Sequence, residues 1–90
     1  MLAGMTWNEI RRQFPHQWLL VEAVNARSES GQRHLDELAV LDACSDGETA
    51  LRTYLKVHRG APGRELYVLH SDREQPAIAE RSWQGLRADR

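Results

Sequence analysis

The chain has 90 residues, with 12 Lys and Arg against 13 Asp and Glu for a net charge of −1, and 41% of its side chains are hydrophobic. That is the profile of one small soluble domain, which buries about 60–65% of the surface its unfolded form exposes. Such a chain has room for one sheet with a helix or two, but not for a deep cleft between lobes. The absence of a basic surplus argues against a nucleic-acid partner, because phosphate neutralisation supplies most of that affinity. No apolar run approaches the length of a membrane helix.

In chain order, Met1 to Met5 is too short and uncharged for a secretory signal, and Met5 could serve as an alternative start. Residues 1–5 are therefore expected to be flexible. Thr6 and Glu9 have the spacing of a capping box, and Trp7, Ile10 and Phe14 follow at helical intervals. Pro15 stops this helix after about two turns. From Gln17 to Val24 the chain is almost wholly apolar, with Glu22 as the lone charge, which predicts a central strand buried on both faces. Asn25 to Arg33 is polar and reads as a hairpin loop. A second strand is expected over His34–Cys44, with Leu38, Val40 and Asp42 on one face and Ala39, Leu41 and Ala43 on the other.

Ser45 and Glu48 repeat the capping-box spacing and predict a second helix. Its apolar stripe is Ala50, Leu51, Tyr54 and Leu55, Lys56, His58 and Arg59 suit its negative end, and Gly60 offers a left-handed stop before Pro62. Glu65 to His70 alternates as a third strand. Asp72 to Pro76 is a turn. Residues 76–90 form a tail in which Ile78, Trp83 and Leu86 could mark a helix, a strand or an ordered arm.

The order α-β-β-α-β defines an α+β domain spanning residues 1–90. We expect two helices and a three-stranded mixed sheet of order 2-1-3, with the third strand parallel in direction to the second and the first between them.

This layout gathers His16, Cys44, His70 and Asp72 at one end of the sheet, beside the helix start at Ser45 and Gly47. A helix N-terminus can bind an anion or acidify a thiol, so Cys44, Ser45, Gly47, His16 and His70 form a candidate ligand site. Cys44, His16, His70 and Asp72 could also be read as metal ligands. The plainer alternative is a buried Cys44 and solvated histidines. No spacing such as H-E-x-x-H or G-x-S-x-G is present, so no catalytic set and no cofactor are implied.

Trp7 and Trp18 belong to the core. Tyr67, Leu69 and Trp83 are the candidate interface, because two helices and an open edge leave apolar surface to cover. The segment Trp7-Asn8-Glu9-Ile10, followed by Phe14-Pro15 and Trp18-Leu19-Leu20-Val21, resembles a pattern in short uncharacterised bacterial proteins. There a W-x-E-I helix runs through an aromatic-Pro turn into a W-hydrophobic strand, and the resemblance implies a fold but no activity.

The resulting expectation is a cytoplasmic interaction module that forms a homodimer or binds a protein partner. A small-molecule or anion-binding accessory protein is the alternative, and an enzyme comes third.

Overall fold

A computed structural model describes residues 4–75 and 77–79. Its elements are α1 (Trp7–Gln13), β1 (Trp18–Glu29), β2 (Gln32–Cys44), α2 (Gly47–Gly60), β3 (Leu66–His70) and β4 (Ala77–Ala79). The strands lie in the order β3-β1-β2-β4, and every neighbouring pair is antiparallel. The α+β class and the 2-1-3 order of the first three strands are therefore as expected, but the sheet is not mixed. β3 does run in the same direction as β2, but β1 separates them, so no two parallel strands touch. The tail contributes β4 at the outer edge of β2, and Ile78 pairs there with Arg33. Trp83 and Leu86 lie outside the described residues.

The two helices lie on opposite faces of the sheet. On one face Trp7 and Ile10 of α1 pack with Leu19 and Val21 of β1, Leu35 and Leu38 of β2, and Leu69 of β3. On the other, α2 lies over β1 and its neighbours, where Leu20, Ala39, Ala50 and Leu66 are buried. Leu19, Leu20 and Val21 are each 0% exposed, so consecutive residues are sealed from both sides. This is what an unbroken apolar run requires of a central strand.

β1 and β2 extend well into the segment expected to be a loop. The link between them is only Ser30 and Gly31, whose φ values of 53° and 76° are those of a type I′ turn. That turn matches the right-handed twist of the strands, so polar residues up to Glu29 and from Gln32 can pair. Arg27 adds ion pairs to Glu29 and to Asp36 across the ladder. Composition alone suggested a loop, but turn geometry decided for strands.

A second difference lies inside β2. Leu20 opposes Asp42, but Val21 opposes Val40, so Leu41 is an extra, bulged residue. The bulge reverses the facing of β2. Leu38, Val40 and Ala43 all join the α1-side core, and Asp42 turns to the α2 side with Cys44. Uninterrupted alternation would have placed the Asp42 carboxylate beside Leu38 in the core, at a cost of several kcal/mol (roughly 2–7 for an unpaired polar group). On the α2 side it instead accepts hydrogen bonds from the Ala43 N–H, the Cys44 thiol and the Thr53 hydroxyl.

The capping box of α1 forms as expected, with Glu9 N–H donating to Thr6 and Thr6 N–H donating to Glu9. In α2 the cap is Asp46 rather than Ser45. Its carboxylate accepts from Thr49 N–H at 2.7 Å, one residue later than the Ser45–Glu48 spacing implied. Gly60 stays helical and the helix ends at Ala61, whose N–H returns to Val57 and His58, so no left-handed glycine is needed. The α2 stripe also divides. Ala50 is buried, whereas Leu51 and Leu55 are 49% and 48% exposed.

Ser71 fastens the end of β3. Its hydroxyl accepts from Gln17 N–H, its own N–H donates to Gln17, and its carbonyl accepts from Arg11. Trp7 reaches the same turn, with its indole N–H donating to Arg73 at 2.6 Å.

Replacing Gly31 by Val should destabilise the protein by about 1 kcal/mol or more in urea unfolding, since a β-branched residue resists positive φ. Ser30→Asn should stabilise it by a few tenths of a kcal/mol, because Asn-Gly is the preferred type I′ pair.

Candidate functional site

At the α2 end of the sheet, Cys44, Trp18 and His70 form one cross-strand row, with Trp18 in the middle. The indole packs edge-on against His70, with ring centroids 5.0 Å apart at 84°. Cys44 and His70 are thus two strand spacings apart, about 10 Å, with an aromatic ring between them. Gly47 sits directly over that ring. A Cβ there would lie 3.2 Å from Trp18 Cε2, so a larger residue would require the indole to shift by a few tenths of an ångström. Ser45 is exposed in the turn before the helix.

The Cys44 thiol is buried and donates to Asp42 at 3.6 Å. Burial, and then the Asp42 charge, push its pKa up, which disfavours the reactive thiolate. The start of α2 is occupied by Asp46, whose pKa is lowered by the hydrogen bonds it accepts from Thr49. A bound anion would have to compete with that carboxylate.

The histidines meet elsewhere. His16, at φ 57° in the turn after Pro15, places Nδ1 2.9 Å from Asp72 Oδ1, and the Asp72 N–H donates to Nδ1 of His70. Beside them Asn8, Arg11, Arg12 and Pro15 border a shallow open cleft of about 450 Å³. Both charge signs line it, and His16 is 82% exposed. Among the described residues no group of three or more His, Cys, Asp or Glu side chains is placed to hold a metal ion.

On the α1 face, Leu69 is 5% exposed and part of the core. Tyr67 is half-buried and donates to Glu65, which also receives both arms of the Arg33 guanidinium at 2.9 Å. The Arg33 bonds hold Glu65 below the usual carboxylate range despite its partial burial. Tyr67 is pushed well above the ordinary phenol value, first by burial and then by Glu65. The triad ties the far half of the hairpin to the start of β3.

The outer edge of β3 is an edge of the sheet that no described strand covers. Ala23 N–H donates to Glu65, and Ser71 N–H donates to Gln17, which sets the hydrogen-bonding phase of the β1–β3 ladder. In that phase residues 65, 67, 69 and 71 bond to β1, while Leu66, Val68 and His70 point their peptide groups away from it. Among the described residues the only backbone bond to these outward groups is from Arg73 N–H to the His70 carbonyl. The strand Leu66-Tyr67-Val68-Leu69-His70 contains no Lys, no Pro and no bulge, the devices that usually blunt an edge.

Leu51 and Leu55 are exposed on α2, which packs over β3 as well as β1 and β2. Thr53 leans towards β2, where it meets Asp42, and helical geometry puts Leu51 and Leu55 on the opposite flank of α2, towards β3. Sequence reasoning placed both leucines in the buried stripe. It chose Tyr67 and Leu69 on β3, whereas the outward peptide groups belong to the alternate residues.

A scan of family models and searches of curated proteins and of solved structures find no match to the chain. No helix among the described residues is long and apolar enough to cross a membrane.

Two outcomes follow from these environments. Cys44 should react with a thiol reagent many times more slowly in native protein at neutral pH than after unfolding. Glu65, whose pKa is depressed by folding, contributes stability above its unfolded value of about 4.3 and loses it as pH falls. Glu65→Gln should therefore flatten the acid side of a thermal-melt pH profile compared with the parent protein.

Proposed function

We propose that this chain is a one-domain cytoplasmic interaction module that docks a protein strand along the outer edge of β3. The observation that supports this reading is the row of outward peptide groups at Leu66, Val68 and His70, with exposed Leu51 and Leu55 on the flank of α2 opposite Thr53. An added strand would satisfy those groups, and the two leucines supply apolar contact beside it. The free, buried Cys44 suits a reducing compartment. In this reading Tyr67 and Leu69 support the edge strand from beneath, and Trp83 belongs to the tail segment that follows β4.

The Val68 N–H points away from β1, so Val68→Pro removes an outward donor without removing a rung of the β1–β3 ladder. The variant should melt within a few degrees of the parent protein but lose strand addition. Amide exchange of Leu66, Val68 and His70 checks the premise. These amides should exchange quickly in dilute protein and slow on association, and strong protection of all three at high dilution would overturn the reading.

A further inference from the structure

We infer that the strand received by β3 is β3 of a second copy, paired antiparallel about a two-fold axis at Val68. The inference rests on the docking reading above and names its occupant and register.

The outward groups are self-complementary in one way. A symmetric antiparallel pair must place a residue opposite itself, and both members of each hydrogen-bonded pair must present outward groups. Of the outward residues, Val68 is central. Setting it on the axis brings Leu66 opposite the partner's His70, so all three outward residues fall into hydrogen-bonded positions. Centring on Tyr67 or Leu69 would pair only two of the three outward residues within the strand and leave the third opposite a residue beyond its end. The His70 carbonyl already accepts from Arg73, but a carbonyl has two lone pairs and can take the partner's Leu66 N–H as well.

The same register is complementary in charge. Just past the strand ends, Arg64 of one copy and Asp72 of the partner, in the turn after β3, come to the same end of the joined strands, and the symmetry repeats the pair at the other end. Arg64 uses Nε and Nη2 on Glu22, leaving Nη1 unused in that fork, and the Asp72 side chain is 59% exposed. Leu51 and Leu55 of each copy are exposed on the α2 face and would add apolar surface beside the joined strands. A parallel pairing would instead set Arg64 against Arg64 and Asp72 against Asp72.

Sedimentation equilibrium of the full chain tests this with charge exchange. The parent protein should dimerise reversibly. Arg64→Asp and Asp72→Arg should each weaken the dimer several-fold, because each sets like charges opposite one another, and the double variant should recover most of the affinity. Leu51→Glu should weaken the dimer without lowering the melting temperature, which covers the case in which an Arg64 or Asp72 variant folds poorly. A parent protein that stays monomeric at millimolar concentration would overturn the inference, while fast exchange at Leu66, Val68 and His70 would leave the edge open to another protein's strand. A dimer indifferent to both single charge changes would overturn the register but not the docking edge.

Discussion

The structure depends on burying Leu19, Leu20 and Val21 from both sides. Consecutive strand residues face opposite ways, so a run that is apolar at every position needs cover above and below. A helix on each face and a strand on each edge meet that need. α1 is only 7 residues long and could not persist alone, but its capping box and the packing of Trp7 and Ile10 hold it on one face. α2 takes the other face, and its length carries the chain back to the start of β1's far edge, where β3 begins. The positions of the helices, the strand order and the location of the open edge all follow from that one buried run.

The same requirement explains the polar details. β2 supplies apolar residues to the α1 face from both sides of Leu41 only because the bulge changes its facing, and the reversal puts Asp42 where α2 can bond it. Glu22, the one charge in the central run, faces the α2 side and is held by Arg64 through two hydrogen bonds, which keeps its pKa lowered. Ser71, nearly fully buried, has its hydroxyl, N–H and carbonyl all engaged. No buried side-chain nitrogen or oxygen among the described residues lacks a partner, so the polar atoms at the ends of the sheet serve to close it.

Much of the fold was legible in the sequence because its signals are local. Thr6 and Glu9 mark a helix start, Trp18 to Val21 marks a central strand, and the order of elements leaves few topologies. The misreadings come from effects that composition does not carry. Asn25 to Arg33 looked like a loop because charged residues in a twisted hairpin are stabilised by cross-strand pairs and a two-residue turn, not by burial. The facing of β2 was read as simple alternation because a bulge leaves no mark in the pattern Leu38-Ala39-Val40-Leu41-Asp42. At the site, sequence could nominate β3 as an edge but not its hydrogen-bonding phase. That phase is set by the Ala23–Glu65 and Gln17–Ser71 rungs and decides that Leu66, Val68 and His70, not Tyr67 and Leu69, turn their peptide groups outward. The cluster of Cys44 with His70 failed to form for a related reason, since Trp18 of the central strand lies between them.

The two-residue turn at Ser30 and Gly31 also bears on the order in which the chain can assemble. A hairpin closed over so short a link pays little loop entropy, so β1 and β2 can zip from the turn within microseconds. β3 must wait for α2 to form and cross, a longer loop with later reward. On a ribosome the delay is longer still, because β3 emerges only after α2 has been made. Until then the free edge is that of β1, whose Trp18–Val21 run is wholly apolar. The outer edge of β3 is therefore the shorter successor to a longer edge, and nascent chains stalled before Leu66 would be the species most in need of a chaperone.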